Sequence, residues 1–156
     1  MAIGTNDIID NFGTLTSIDD GGTSSVASAA FSVAADITAW TNSDDVKWAR
    51  FVLKAQWATV TSVANKAINI YARPINVQST NDVVIPSANN LWECIGGFNI
   101  YAASTTTDYW FHSSLCRLPN LASGQEYEFY IENSTGQTVS AGWALWIMPL
   151  ADGPHA

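Results

Sequence analysis

The sequence predicts an all-β fold, namely an antiparallel β-sandwich of the jelly-roll type. Three observations carry this prediction: short segments alternate apolar and polar residues, turn-forming residues separate them, and no apolar period has helix length. With 156 residues, the chain is long enough to form one domain around a hydrophobic core.

The clearest predicted strand spans residues 46–57. Its odd positions from 49 to 57 are all apolar, whereas its even positions include Arg50 and Lys54. Period-two alternation places successive side chains on opposite faces of a sheet. We therefore expect Trp48, Arg50 and Lys54 to share the outward face.

The remaining strands give a total of seven or eight. They are predicted at residues 29–40, 67–77, 92–102, 109–118, 127–132 and 139–150. In the third of these, Trp92, Cys94, Phe98 and Ile100 are expected on one side, and Gly96-Gly97 predicts a bulge or bend. Residues 82–91 contain Pro and Asn and are read as a connection.

Residues 1–25 are predicted to form a flexible polar arm, and residues 26–156 the sandwich domain. The arm is rich in Gly, Ser, Thr, Asp and Asn, so it cannot bury enough surface to fold alone. Its scattered apolar residues would anchor it on the same subunit or on a neighbour. The proposed anchors are Ile3, Ile8, Ile9 and Phe12. A frayed terminus is the alternative.

Charge is segregated along the chain. The first 45 residues hold seven aspartates and no basic residue, whereas residues 46–73 hold five of the six basic residues and no acid. The last 83 residues hold seven acids and one base, Arg117, which gives a net charge of −8. Opposite patches on one surface favour defined docking between copies or onto a larger assembly.

The same numbers argue against several classes of partner. An acidic chain lacks the clustered Lys and Arg that binding to nucleic acid needs. The first residues do not resemble a secretory signal, and the longest apolar stretch, residues 141–151, is too short to span a bilayer. Cys94 and Cys116 are expected to be two buried thiols in a reducing cytosol, with a disulfide as the alternative.

No residue pattern specifies a reaction, and we expect no catalytic residue. His112 has Ser113 and Ser114 beside it, but strand neighbours point to opposite faces and no nucleophile-elbow pattern surrounds them. A half-buried strand histidine is the expected reading. Glu126, Glu128 and Glu132 share one strand face by parity, which favours a solvated outer face over a glycosidase pair.

No metal or cofactor is expected either. Two Cys and two His without paired spacing do not form a zinc motif. The oxygen-rich turns at residues 19–21 and 42–45 could offer calcium ligands, but neither matches an EF-hand loop. Turn formation explains both segments more simply.

The seven tryptophans are the remaining signal. Trp143 and Trp146 have opposite parity in one predicted strand, so one of them should face away from the core. Trp48 is expected on the basic outer face. Exposed aromatic side chains on a sandwich can stack on sugar rings or fill a protein interface.

The chain resembles the small head decoration (cement) proteins and related β-sandwich virion proteins of tailed bacteriophages. The segments that suggest this are the opening residues 1–14, the segment 127–139, and a Ser/Thr/Ala-rich, lysine-poor style throughout. The resemblance is one of style and architecture, and it transfers no signature residue. It implies a non-enzymatic protein on the capsid surface, made in the host bacterial cytoplasm. It also implies binding to the major capsid protein and to copies of itself, often as a homotrimer.

These observations predict the contact residues of a capsid decoration protein. We expect Lys47, Trp48, Arg50 and Lys54 to make the contacts, together with the arm anchors named above. The alternatives are a carbohydrate-binding β-sandwich module and a tail or fibre structural protein. A hydrolase built on His112 or on a carboxylate pair is the weakest hypothesis.

Overall fold

The regular secondary structure of the protein is almost entirely β-strand. This computed structural model describes residues 8–19, 22–59, 66–77, 81–91, 94–119 and 122–154. Within these ranges the strands are β1 (Ile8–Phe12), β2 (Thr16–Asp19), β3 (Trp40–Thr41), β4 (Trp48–Ala55), β5 (Lys66–Ile75), β6 (Cys94–Ile100), β7 (Tyr109–His112), β8 (Cys116–Arg117), β9 (Glu126–Asn133) and β10 (Ala144–Pro154). The same ranges contain one 3₁₀ turn, at Ala34–Asp36.

The strands form two antiparallel sheets packed against each other. The first sheet has the order β1-β10-β4-β7, with β2 also pairing with β10 and β8 also pairing with β4. The second sheet has the order β3-β9-β5-β6. Because β1 and β2 share one edge of β10, and β7 and β8 share one edge of β4, each sheet has four strand positions. Successive positions alternate between the sheets except at β5 and β6, which is the jelly-roll order. The predicted fold is confirmed.

Alternation along the central strands builds the core between the sheets. In β4 and β10 the odd residues face inward, so Phe51, Leu53, Leu145 and Ile147 are fully buried. Phe51 meets Phe129 of the second sheet edge-on, with ring centroids 5.0 Å apart. Burial of such side chains stabilises the fold by roughly 1.5–3 kcal/mol each.

Residues 8–19 of the predicted arm lie in the first sheet. β1 pairs with the end of β10, from Ile8 opposite Pro154 to Phe12 opposite Leu150, and β2 pairs with β10 further along. Ile18 is only 3% exposed. The predicted boundary at residue 26 is therefore not a structural boundary, because this chain's own β10 pairs with the backbone of β1 and β2. Ile3, with the rest of residues 1–7, lies outside the described residues.

The strand predicted at residues 29–40 is largely wrong. Phe31 makes one isolated bridge, and only Trp40–Thr41 is a strand. The carboxylate of Asp36 accepts hydrogen bonds from the backbone and hydroxyl of Thr23 and from the backbone of Ser24. These bonds stabilise a 3₁₀ turn where alternation alone predicted an extended chain.

The bulge predicted in β6 is confirmed, and it corrects the position of Cys94. Ile70 lies opposite Gly96 but Tyr71 lies opposite Cys94, so Ile95 is the extra residue. One inserted residue moves Cys94 to the face opposite Phe98. Cys94 is consequently exposed, contrary to the expectation of two buried thiols, whereas Cys116 is buried.

Candidate functional site

The outward face of β4 forms the centre of the candidate site. Trp48, Arg50 and Lys54 alternate with buried residues, as the sequence predicted. Arg50 is exposed, while Trp48 and Lys54 are half-buried. Lys47 is also exposed and lies directly before the strand, where its carbonyl accepts a hydrogen bond from the backbone of Leu118.

Pairing with neighbouring strands adds aromatic side chains to this face. Cross-strand partners in a sheet lie on the same side. The register places Met148 of β10 beside Arg50, and Trp110 of β7 beside Lys54. Trp146 lies on the same face, and its ring is 5.0 Å from that of Trp110, centroid to centroid. Trp110 remains 54% exposed.

Phe12 extends the face across β10. It lies opposite Leu150, which in turn lies opposite Trp48. The Arg50 guanidinium lies 5.3 Å from the centroid of the Phe12 ring. Such a cation–π contact at an exposed site contributes roughly 0.5–1 kcal/mol and orients the arginine. We call this surface the aromatic–basic face, comprising Phe12, Trp48, Arg50, Lys54, Trp110, Trp146 and Met148.

The cations of this face are only partly neutralised. Lys54 lies 3.8 Å from the carboxylate of Asp108, an ion pair open to solvent. Within the described part of the chain, no carboxylate lies at ion-pair distance from Arg50 or Lys47. Exposed pairs contribute about 0–1 kcal/mol, so Lys54 can exchange partners cheaply.

The predicted anchors of the arm are placed differently from one another. Phe12 joins the aromatic–basic face. Ile8 and Ile9 lie in β1 by their backbone, but their side chains are outside the description, as is Ile3 altogether. Sequence reasoning did not identify Trp110 or Met148. The alternation of residues 109–112 could have identified Trp110 as outward-facing, because its neighbours Tyr109 and Phe111 are apolar.

The other tryptophans of the described residues are mainly structural. Trp57 and Trp143 are fully buried, and the Trp143 indole donates a hydrogen bond to the carbonyl of Ser24. Trp40 packs against Tyr127 and Phe129. The prediction that one of Trp143 and Trp146 faces away from the core is confirmed, since Trp146 lies on the outer face.

Glu126, Glu128 and Glu132 share the outer face of the second sheet, as predicted from parity. Glu128 accepts hydrogen bonds from Arg73 at 2.6 Å and from the Tyr130 hydroxyl at 2.8 Å. Glu132 accepts from Asn69 and from the Tyr71 hydroxyl, both at 2.9 Å.

Burial, together with these carboxylates, raises the pKa of both tyrosines, Tyr71 beside Glu132 and Tyr130 beside Glu128. Glu128 and Glu132 thus connect side chains of β5 and β9 on the outer surface of the second sheet. They already accept hydrogen bonds from neighbouring side chains, which does not suit the acid and base roles of a glycosidase pair.

The residues considered for hydrolysis are also engaged elsewhere. The Ser113 hydroxyl donates to the carbonyl of Ser114 at 2.6 Å and accepts from the backbone of Phe51 at 2.9 Å. His112 is exposed, not half-buried, and its Nδ1 lies 3.5 Å from the carbonyl of Ser113. Burial raises the pKa of the Cys116 thiol. This arrangement contains no nucleophile hydrogen-bonded to a base.

A groove opens beside the aromatic–basic face, between β6 and the link from β7 to β8. Its volume is about 470 Å³. We call it the edge groove; its lining includes Arg50, Gly97, Asn99, Tyr101, His112 and Ser114. Arg50 therefore belongs both to the face and to the groove.

In the described ranges, no group of three or more His, Cys, Asp or Glu side chains could hold a metal ion. The helical residues of those ranges include no segment long and apolar enough to cross a membrane.

The fold and the site define a jelly-roll β-sandwich with an aromatic–basic face on one sheet. No protein-family model matches the chain, and comparisons with curated proteins and with solved structures gave no match.

Proposed function

We propose that this chain is a non-enzymatic virion structural protein that binds and stabilises the outer surface of a phage capsid lattice. The aromatic–basic face carries the proposal. Trp110 is 54% exposed there, and the cation of Arg50 has no carboxylate partner among the described residues of a chain with net charge −8. Aromatic residues and arginine are enriched at protein interfaces. The proposed partners are the major capsid protein and copies of this chain.

The fold supports the proposal by analogy. Jelly rolls occur among viral capsid domains and also among lectins. Because a fold can host unrelated functions, the analogy adds to the chemistry of the face and does not replace it.

The aromatic and the charged side chains of the face are expected to contribute differently to docking. An aromatic anchor buried at an interface can contribute roughly 2 kcal/mol or more. An exposed charge pair contributes only about 0–1 kcal/mol but steers the encounter. We therefore expect Trp48, Trp110 and Trp146 to set affinity, and Arg50 and Lys54 to set register and salt dependence. A protein that binds only the assembled lattice stabilises that lattice by mass action.

Co-sedimentation with heads assembled from the major capsid protein of the same genome tests this proposal. Trp110→Ala should weaken binding about tenfold or more, because it removes an exposed anchor. Arg50→Met should weaken binding less than Trp110→Ala does. Added salt should reduce the affinity of the Arg50→Met variant less than it reduces the affinity of the unmodified protein, because one charge contact is already gone. Both side chains are at the surface, so folding should change by about 0.5 kcal/mol or less.

The matched control is Lys66→Met, which also removes one positive charge but lies at the start of β5 in the second sheet. It should bind heads like the unmodified protein. Equal binding by the Trp110→Ala and Lys66→Met variants would contradict docking through this face.

A further inference from the structure

The edge groove has the size and position of a ligand site. It lies where β6, at the edge of the second sheet, packs against β7 and β8, at the edge of the first. Its volume of about 470 Å³ falls within the range of roughly 300–1,000 Å³ found for small-ligand sites. It is thus large enough for a small molecule and is separate from the tryptophans of the aromatic–basic face.

The charge of the groove is opposite to that of the protein. None of the chain's 14 acidic residues is among the described residues that line it. Arg50 contributes a cation that has no carboxylate partner in the described ranges. Its guanidinium lies over Phe12, on the β10 side of β4, and this exposed contact is weak enough to be exchanged for a charged ligand in the groove. His112 lies opposite Val52, two residues along β4 from Arg50. Diagonal neighbours of this kind are roughly 7–8 Å apart, so both side chains can reach one ligand.

The remaining polar groups of the groove suit a ligand with several hydroxyls. Asn99 carries both a donor and an acceptor, and so does the Ser114 hydroxyl. A ligand hydroxyl also donates and accepts, whereas a simple anion can only accept. The lining therefore matches a polyhydroxylated molecule better than a simple anion.

An apolar surface completes the site. Tyr101 is 68% exposed, and its position is fixed at both ends. Its hydroxyl donates to the carbonyl of Trp110 at 3.1 Å, and its ring meets Phe111 edge-on at 5.0 Å. Leu115, which is 42% exposed, also lines the groove. Such surfaces can pack against the C–H face of a sugar ring.

Gly97 lines the groove through its backbone. A Cβ at this position would lie 2.8 Å from the carbonyl oxygen of Ile68, so close strand pairing excludes a side chain.

We propose that the edge groove binds an acidic saccharide. Arg50 holds the carboxylate in a charge-assisted contact, while Asn99, Ser114 and His112 bond the ring hydroxyls. Tyr101 packs against the ring. This is a second binding activity, distinct from docking on a lattice, and Asn99, Ser114 and Tyr101 lie outside the aromatic–basic face.

Titration of the ¹⁵N-labelled full chain, followed by amide NMR, tests this site. The probes are a β-linked glucuronic acid tetrasaccharide and the glucose tetrasaccharide of the same linkage. The acidic probe should shift the amide signals of Gly97 and Asn99. The neutral probe should bind about tenfold more weakly or worse, since it lacks the charge-assisted bond to Arg50.

The variants Arg50→Met and Asn99→Ala should each reduce affinity for the acidic probe, while Lys66→Met, in which the same charge is lost outside the groove, should not. The amide spectrum of each variant also reports whether it is folded. Absence of shifts at Gly97 and Asn99, or equal affinity for both probes, would overturn the proposal. So would tighter binding of a tetra-aspartate peptide at the same amides, which would identify an acidic protein segment as the ligand.

Discussion

At the scale of single residues, the Asp45 carboxylate in an oxygen-rich turn connects two loops by hydrogen bonds. Asp45 accepts a hydrogen bond from the Ser123 hydroxyl at 2.7 Å and another from the backbone of Gly124 at 2.8 Å. These bonds lower the pKa of the Asp45 carboxyl, the bond from Ser123 contributing most. The backbone of Asp45 is left-handed, with φ 53°. This conformation is tolerated by Asp and Asn better than by most residues.

Asp45→Asn should therefore reduce the pH dependence of the free energy of unfolding in the acidic range without disturbing the turn. A carboxyl whose pKa is lowered in the folded state adds stability above its unfolded pKa, about 3.9. That stability is lost as pH falls through the folded pKa. We expect the variant to be less stable than the unmodified protein at pH 7 and to approach it at the lowest pH. Urea midpoints measured from pH 7 to pH 2.5 check this.

Asp44→Asn is the matched control for this measurement, since Asp44 is the exposed neighbour in the same turn. An Asp45→Asn variant with the same pH dependence as the unmodified protein would show that the two bonds do not favour the charged form.

At the scale of elements, the segment before residue 26 contributes to the sandwich in two parts. β1 adds backbone pairing at the end of β10. The part that follows β1 contributes more, because Ile18 is buried and Gly22 packs on Trp143. A Cβ on Gly22 would lie 2.4 Å from the indole nitrogen of Trp143.

Two deletions should separate these parts. Deletion of residues 1–12 should leave a folded protein of lower stability, because it removes β1 but keeps Ile18. Deletion of residues 1–25 should cost a further 2–5 kcal/mol or so, the range for losing one large buried aliphatic side chain. Chemical denaturation followed by tryptophan fluorescence measures both.

Equal stability of the two deletion proteins would contradict this division. If the shorter deletion remains folded, its binding to heads tests the arm directly. Undiminished binding by that protein would eliminate residues 1–12 as anchors, Phe12 included.

At the scale of the whole molecule, the two sheets present different outer surfaces. The first sheet exposes aromatic side chains and the cation of Arg50. On the second sheet, Glu128 and Arg73 satisfy each other in a 2.6 Å ion pair. The aromatic–basic face thus exposes aromatic side chains and a cation on a protein of net charge −8. Such a face is suited to assembly, because it can bury apolar surface and can attract an acidic partner.

We expect the intact protein to be a homotrimer in solution. Light scattering after size exclusion should give a mass three times that of the 16.8 kDa chain. Trp110→Ala should shift the distribution toward monomer if the face lies between subunits, and should leave the trimer intact if the face is reserved for the lattice. A single-chain mass at every protein concentration would contradict the trimer.

Local periodicity in the sequence was sufficient to predict several features of the fold. Alternation along residues 46–57 was sufficient to place Trp48, Arg50 and Lys54 on one outward face, because successive side chains of a strand point in opposite directions. The same rule separated Trp143 from Trp146, and the glycine pair predicted the bulge of β6.

Which strands lie side by side could not be predicted from these local patterns. Trp110, Met148 and Phe12 join Arg50 through pairings between segments far apart in the chain, and the edge groove exists because two sheet edges meet. The inserted residue Ile95 reversed the predicted side of Cys94, since a one-residue slip moves a side chain to the other face. Register and strand order are set by the packing of the whole core, and no local pattern encodes them.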